Sequence, residues 1–153
     1  MQTIRNRIFI LLVIVFMIYP GCYPLPDRIS KMKDGKEYGD TEGLFRHRWW
    51  NYYERGLSFA DGEFWQDAES DLREAIRQRD SDKRRARTYG LHFIDYFPHR
   101  ELGIVLFMQG RIEEAEKELK HSYHTVKSAK TALFLDRTRK ALIEKKTVCS
   151  SSS

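Results

Sequence analysis

Residues 109–115, which read QGRIEEA, decide the fold of this chain. Gly110 marks a turn, because glycine adopts backbone conformations that other residues avoid. Beyond the turn, apolar residues recur every three or four positions, at Ile112, Ala115, Leu119 and Tyr123. This period places them on one face of an α-helix, and residues 64–76 show the same period. No segment alternates apolar and polar residues between hairpin turns, so the sequence predicts an all-α domain.

One longer pattern occurs twice in the chain. In each copy a glycine is followed twelve positions later by an alanine, Gly56 by Ala68 and Gly103 by Ala115. Both residue types are small, so two helices that carry them can approach each other closely. Larger apolar residues fill the space around these contacts, and they are Phe59, Leu72, Leu106 and Leu119. Gly62 and Gly110 mark the turns between the helices of each pair.

The repeated pattern resembles the tetratricopeptide repeat, in which an aromatic residue, Leu-Gly, a second aromatic residue, an alanine and a large apolar residue follow at these spacings. The first copy reads Tyr52-x2-Arg55-Gly56-x2-Phe59, and the second reads His99-x2-Leu102-Gly103-x2-Leu106. The resemblance covers residues 49–127 and implies a short solenoid of two helix-turn-helix repeats. The second copy follows the first by more than the 34 residues of that repeat, so about thirteen extra residues form an insert within residues 81–96.

Residues 128–145 have a helical pattern of their own. Arg137 stands where a third copy would need its glycine, so this helix is predicted to cap the solenoid rather than to begin a third repeat. We therefore assign residues 44–146 to the folded domain and residues 147–153 to a disordered polar tail. Two repeats are fewer than the three usually needed for stability. Either the flanking segments and the insert add burial, or the protein oligomerises.

The first 21 residues have the organisation of a secretory signal peptide. Arg5 and Arg7 precede an uncharged apolar stretch, residues 8–19, and a small residue, Gly21, stands before Cys22. Twelve helical residues span about 18 Å, which is less than the roughly 30 Å of a hydrocarbon core. The segment therefore favours a leader over a membrane-spanning helix.

Gly21-Cys22 at the end of such a leader resembles the bacterial lipoprotein signal, in which the cysteine is lipidated and becomes the new N-terminus. An uncleaved signal anchor is an alternative, because the uncharged stretch continues to residue 26, and plain secretion is another. All three possibilities place the remainder of the chain outside the cytoplasm. In the first two, the protein is anchored to a membrane of a bacterial envelope. Prolines and glycines interrupt any period in residues 22–43, which are predicted to be the lipid-anchor cysteine and a flexible tether.

The composition argues against disorder and against nucleic-acid binding. Hydrophobic residues make up 41% and charged residues 32% of the chain, as in folded soluble domains. The formal net charge of +5 is spread along the sequence, so we predict no nucleic-acid partner. The one dense basic run, residues 83–87, is typical of a solvated helix face or loop.

The search for catalytic chemistry yields weak candidates. The chain contains no Gly-x-Ser-x-Gly, Walker, Gly-x-Gly-x-x-Gly or His-Glu-x-x-His motif. His92 and His99 flank an aromatic patch and are interpreted as core or capping residues, and Cys149 has no partner for a nucleophile role. We predict a non-enzymatic protein with no catalytic residues and no cofactor.

A metal site was considered on the second repeat. His121 and His124 are three residues apart, and Glu114 and Glu118 precede them by one and two turns. This spacing could hold a metal, but it is also the spacing of an ordinary exposed helix face. We predict no metal.

The resemblance implies that the first helix of each pair lines a concave groove that takes a peptide or helix of a partner protein. Carried over by position, the groove residues are Trp50, Tyr53, Leu57, Arg100, Ile104, Phe107 and, from the cap helix, Phe134. Arg100 is the expected polar anchor, and the insert or the cap could cover several of the others. The leading hypothesis is an envelope scaffold that binds through this groove. The alternative is a structural accessory subunit of an envelope complex that binds through its convex face or its insert.

Overall fold

A computed structural model describes residues 30–41 and 43–151 of the chain. Within those residues five helices dominate, α1 (Trp49–Asp61), α2 (Trp65–Gln78), α3 (Pro98–Met108), α4 (Ile112–Thr125) and α5 (Ala129–Ser151). Two antiparallel strand pairs accompany them, β1 (Lys31–Lys33) with β2 (Lys36–Tyr38) and β3 (Lys83–Arg87) with β4 (Phe93–Tyr96). The mostly helical fold is confirmed. None of these helices is both long and apolar enough to cross a membrane. The signal peptide and Cys22 lie outside the described residues.

The helices pack in the order in which they follow one another. Each contacts the next along the chain, α1 with α2, α2 with α3, α3 with α4 and α4 with α5. Weaker contacts join α1 to α3 and α3 to α5. These three odd-numbered helices therefore form one row of neighbours, which we call the odd-helix row.

The two repeated glycines lie where two helices come closest. A Cβ atom on Gly103 would lie 2.7 Å from Cγ of Leu119, and one on Gly56 would lie 3.1 Å from Cγ of Leu72. Ala115, twelve positions after Gly103, is fully buried. The spacing read from the sequence thus corresponds to tight contact between α1 and α2 and between α3 and α4.

A buried ion pair explains why a charged residue, Arg55, stands where the repeat pattern has leucine. Nε and Nη2 of Arg55 donate to Oδ2 and Oδ1 of Asp71 at 2.6 and 2.7 Å, and the guanidinium lies 4.3 Å from the ring centroid of Phe45. Burial raises the pKa of the Asp71 carboxyl above its usual value, while the hydrogen bonds from Arg55 act in the opposite direction. Paired in this way, Arg55 takes the place of an apolar side chain in the α1–α2 contact.

The first strand pair lies in the segment that was predicted to be a flexible tether. Its turn is Asp34-Gly35, and both residues have positive φ angles, 51° and 75°. That conformation fits the right-handed twist of a two-residue hairpin, for which Asp-Gly is a strong sequence signal. Tyr38 packs against the turn between α1 and α2, with its ring 5.9 Å from that of Phe64. Residues 30–41 therefore belong to the folded part, and the tether prediction is wrong for them.

The second strand pair is formed by the insert, where no strand was expected. Ala86 is the one buried residue of β3, and its four neighbours Lys83, Arg84, Arg85 and Arg87 are exposed. A strand that buries a single alanine shows no alternation of apolar and polar residues, which is why its period was not visible. The all-α prediction is wrong for this segment.

The last helix is longer than expected. Oγ of Ser128 accepts a hydrogen bond from the backbone N–H of Thr131 at 3.1 Å and so caps the start of α5. The helix continues to Ser151, past residue 146 where a disordered tail was predicted. Lys145 pairs with Glu113 of α4 at 2.7 Å, and the residues that follow contain no helix breaker.

Candidate functional site

The predicted groove residues all lie on the odd-helix row. Trp50, Tyr53 and Leu57 are on α1, Arg100, Ile104 and Phe107 are on α3, and Phe134 is on α5. All except Tyr53 are half-buried. Phe107 and Phe134 meet edge to face across α3 and α5, with ring centroids 6.1 Å apart. The row thus carries apolar side chains from three helices that the core does not fully enclose.

Tyr53 is not available to a partner. It is 3% exposed, and its hydroxyl accepts a hydrogen bond from the backbone N–H of Phe97 at 3.2 Å. Its ring lies 4.9 Å from that of Tyr96. Burial raises the pKa of the Tyr53 hydroxyl well above its usual value. The end of the insert therefore covers this position, and the prediction that Tyr53 lines an open groove is wrong.

The insert is held to the helices by Tyr96. This residue is fully buried, and its hydroxyl, the donor in both contacts, lies 2.9 and 2.8 Å from the carbonyl oxygens of Ala75 and Arg79. Its ring packs 4.5 Å from that of Trp49. The base of the β3–β4 hairpin is thus part of the core. Its tip is open, with Leu91 87% exposed.

Arg100, the expected polar anchor, is already engaged. Its Nε donates to Oε1 of Glu101 at 2.7 Å, and its guanidinium lies 4.0 Å from the ring centroid of Phe97. Glu101 is 6% exposed and also pairs with Lys130 at 2.8 Å. This network links α3 to α5, so it stabilises the odd-helix row rather than offering a free cation to a partner.

A cavity of about 340 Å³ opens beside Trp50, between the start of α1, the segment before it and the hairpin tip. Its walls combine aromatic and charged side chains, chiefly Leu44, Arg46, Trp50, Glu54, Tyr89 and His92. Trp50 and Tyr89 lie 6.5 Å apart, and Tyr89 stacks on His92 at 5.2 Å. No local sequence pattern indicates this cavity, because it depends on the insert folding back onto α1.

In the fold, the histidines and glutamates that the sequence offers as metal ligands have other partners. Glu114 pairs with Arg111 at 2.6 Å on the surface, and Glu118 contacts His99 instead of His124. His121 lies against His99, with ring centroids 4.1 Å apart. The pair was not foreseen, because the two residues lie on different helices. The side chain of Cys149 lies outside the described residues.

His99 is buried between two carboxylates. Its Nδ1 lies 2.7 Å from Oε2 of Glu118, and its Nε2 lies 2.7 Å from Oδ1 of Asp80. Burial acts to lower the pKa of His99, but the hydrogen bonds to Glu118 and Asp80 outweigh it, and the pKa is raised above its usual value. The side chain therefore fills its position through contacts with two carboxylates rather than as an apolar core residue.

No protein-family model matches this chain, and no curated protein is similar enough to it to count as a relative.

Proposed function

We propose that the protein is a non-enzymatic interaction module of a bacterial cell envelope, and that it binds a peptide or helix of a partner protein along the odd-helix row. The observation that carries the proposal is the set of half-buried apolar side chains that three helices present together. They are Trp50, Leu57, Ile104, Phe107 and Phe134.

A solenoid of the tetratricopeptide type accounts for this arrangement. Its repeats stack so that each helix contacts mainly its neighbours along the chain, and the first helices of successive pairs then line one face. The packing order of the five helices and the close approach at Gly56 and Gly103 agree with that architecture. On this proposal α5 caps the second pair and continues the face formed by α1 and α3.

The energetics favour an apolar partner segment. Complete burial of a large apolar side chain contributes about 1.5–3 kcal/mol. Because Ile104 and Phe107 are already mostly buried, at most about a third of that remains, or up to about 1 kcal/mol each. An amphipathic helix or an extended segment with apolar anchors would complete their burial.

The leader places this module in the envelope. Cleavage before Cys22 and lipidation of its thiol would tether the domain to a membrane and concentrate it beside membrane-associated partners. The first strand, β1, begins at Lys31, nine residues after Cys22, so lipidation of Cys22 would hold the folded part near the membrane.

The test is a pull-down from envelope extract with the double variant Ile104→Ala and Phe107→Ala. We expect capture of the partner to weaken by up to about thirtyfold, since two anchors of up to about 1 kcal/mol each are removed. The matched control is Ile143→Ala, which removes an apolar side chain of α5 that is 62% exposed and is not one of the proposed anchors. A thermal melt of each variant separates loss of binding from loss of folding. Capture by the folded double variant at the level of wild type would refute the proposal.

The hairpin tip supports a second candidate, in which an accessory subunit binds through its insert. Tyr89, Leu91 and Phe93 are exposed there, at 66%, 87% and 41%. Exposed large apolar side chains that cluster on one loop commonly mark an interaction site. Under this alternative Leu91→Ser abolishes capture and the odd-helix variant does not. The same pull-down therefore distinguishes the two sites.

A further inference from the structure

Three separate parts of the chain meet around the ring of His99. Asp80 follows the end of α2, His99 is the second residue of α3, and His121 lies on α4. Each offers one ligand atom, and these three atoms lie within 4.8 Å of one another. Two imidazole nitrogens and one carboxylate oxygen form a donor set that suits a borderline transition-metal ion, whereas calcium and magnesium prefer oxygen alone.

The orientation of His99 is fixed from the opposite side. Its Nδ1 lies 2.7 Å from Oε2 of Glu118, one turn before His121 on α4. A carboxylate that accepts the Nδ1–H leaves Nε2 to face a metal, as in the carboxylate–histidine–metal arrangement of many sites. The backbone N–H of His99 also donates to Oδ1 of Asp82 at 3.1 Å. Glu118 thus orients the ring, and Asp82 holds the backbone of His99, before any ion arrives.

We propose that Asp80, His99 and His121 bind one divalent transition-metal ion, with zinc as the best fit, and that Glu118 orients His99. Water completes the fourth position of a tetrahedral site.

The spacing of the donor atoms is compatible with that ion. Metal–ligand bonds of about 2.0–2.1 Å at tetrahedral angles place neighbouring donor atoms about 3.3 Å apart. Oδ1 of Asp80 is now 2.7 Å from Nε2 of His99, where it makes a hydrogen bond. The Asp80 side chain is 69% exposed and His121 is exposed, so rotation of these two side chains can bring the ligand atoms, now within 4.8 Å of one another, to that spacing. The buried His99 does not have to move.

An ion pair alone explains only part of the cluster. It accounts for Asp80 and Glu118, which flank His99. It gives no role to the second imidazole, that of His121, whose ring lies 4.1 Å from the His99 ring. A shared metal ion explains why both rings come together. No sequence spacing indicates this cluster, because Asp80, His99 and His121 are far apart along the chain and meet only in the fold.

The experiment measures zinc binding to the full chain after removal of metals with a chelator. Competition with a chromophoric chelator should show one zinc ion per chain, and magnesium should not compete. His121→Ala and Asp80→Asn should each lower zinc affinity by at least about tenfold, and Glu118→Gln by about 10–100-fold. The matched control is His124→Ala, which replaces an exposed histidine that lies on the same helix but outside the cluster. This variant should bind zinc with wild-type affinity.

Variants at the exposed positions keep the test independent of folding. His121 and Asp80 are exposed, so their replacement should leave the metal-free melting temperature near that of wild type. Zinc should raise the melting temperature of wild type and of His124→Ala but not that of His121→Ala. Absence of saturable zinc binding to wild type would overturn the proposal, as would wild-type affinity in the folded His121→Ala variant. The zinc affinities and the melting temperatures do not depend on the outcome of the pull-down with the odd-helix variant.

Discussion

Replacing Gly103 with alanine places a methyl group against Leu119 in the contact between α3 and α4. The new Cβ would lie 2.7 Å from Cγ of Leu119 and 3.2 Å from its backbone nitrogen. Ordinary contacts between carbon atoms are about 3.5–4.0 Å, so the two helices must separate by several tenths of an ångström. Overpacking of this kind costs about 1–3 kcal/mol, against a gain of about 1 kcal/mol from replacing glycine in a helix. We expect a net loss of up to about 2 kcal/mol.

Thermal and urea melts followed by circular dichroism measure this loss. For a domain of this size 1 kcal/mol corresponds to about 4 °C, so the melting temperature should fall by up to about 8 °C. Gly56→Ala is the matched control in the other helix pair. Its Cβ would meet the flexible Leu72 side chain at 3.1 Å, and the gain in helix propensity should offset most of the strain.

A double-mutant cycle identifies the clash as the cause. Leu119→Ala alone should cost about 2–5 kcal/mol, because it leaves a cavity in the core. Adding Gly103→Ala to that variant should cost little or nothing more, since the atom that clashes is gone. If Gly103→Ala melts at or above the wild-type temperature, or if the two losses simply add, the close approach of α3 and α4 is refuted.

Three further predictions concern other contacts. Arg55→Ala should cost about 3–5 kcal/mol at pH 7, because it leaves the buried Asp71 carboxylate unpaired. That deficit should shrink as the pH falls and the carboxyl becomes neutral, so urea melts that show the same deficit at pH 4 and pH 7 would contradict the assignment. Tyr96→Phe should cost about 1–3 kcal/mol by removing a buried donor that reaches two carbonyl oxygens, and an unchanged melt would mean that the insert does not depend on this anchor. Cys22→Ser should release the protein from the membrane fraction or leave an unprocessed precursor, whereas unchanged lipid labelling would rule out lipidation at that position.

Local sequence patterns determined the helical class and the position of the two close helix contacts. A helix requires only a repeated apolar spacing within a few turns, and the glycine–alanine distances follow from that spacing. Four of the five helices accordingly lie where their apolar residues recur. The hairpin at Asp34-Gly35 was equally local, and its turn signal was present in the sequence although the segment was interpreted as a tether.

Tertiary structure alone decided which predicted groove residues remain open. Tyr53 and Trp50 lie on the same helix and both carry an aromatic ring, so nothing in the sequence distinguishes them. The insert covers Tyr53 through Tyr96 and Phe97, whereas Trp50 remains half-buried beside a cavity. The covering segment lies more than 40 residues farther along the chain, and periodicity within a window of a few turns carries no information about such a contact.

The sequence and the fold also group the histidines differently, because the fold brings together residues that are distant along the chain. Read along the chain, His121 belongs with His124, because residues three apart share a helix face. In the fold it belongs with His99 and Asp80, which α2 and α3 bring to that face from 22 and 41 residues away. The sequence by itself determined which surfaces of each helix are apolar, because that property depends on neighbours along the chain. Only the tertiary structure decided which polar side chains converge, because their distances are set by the packing of one helix against another.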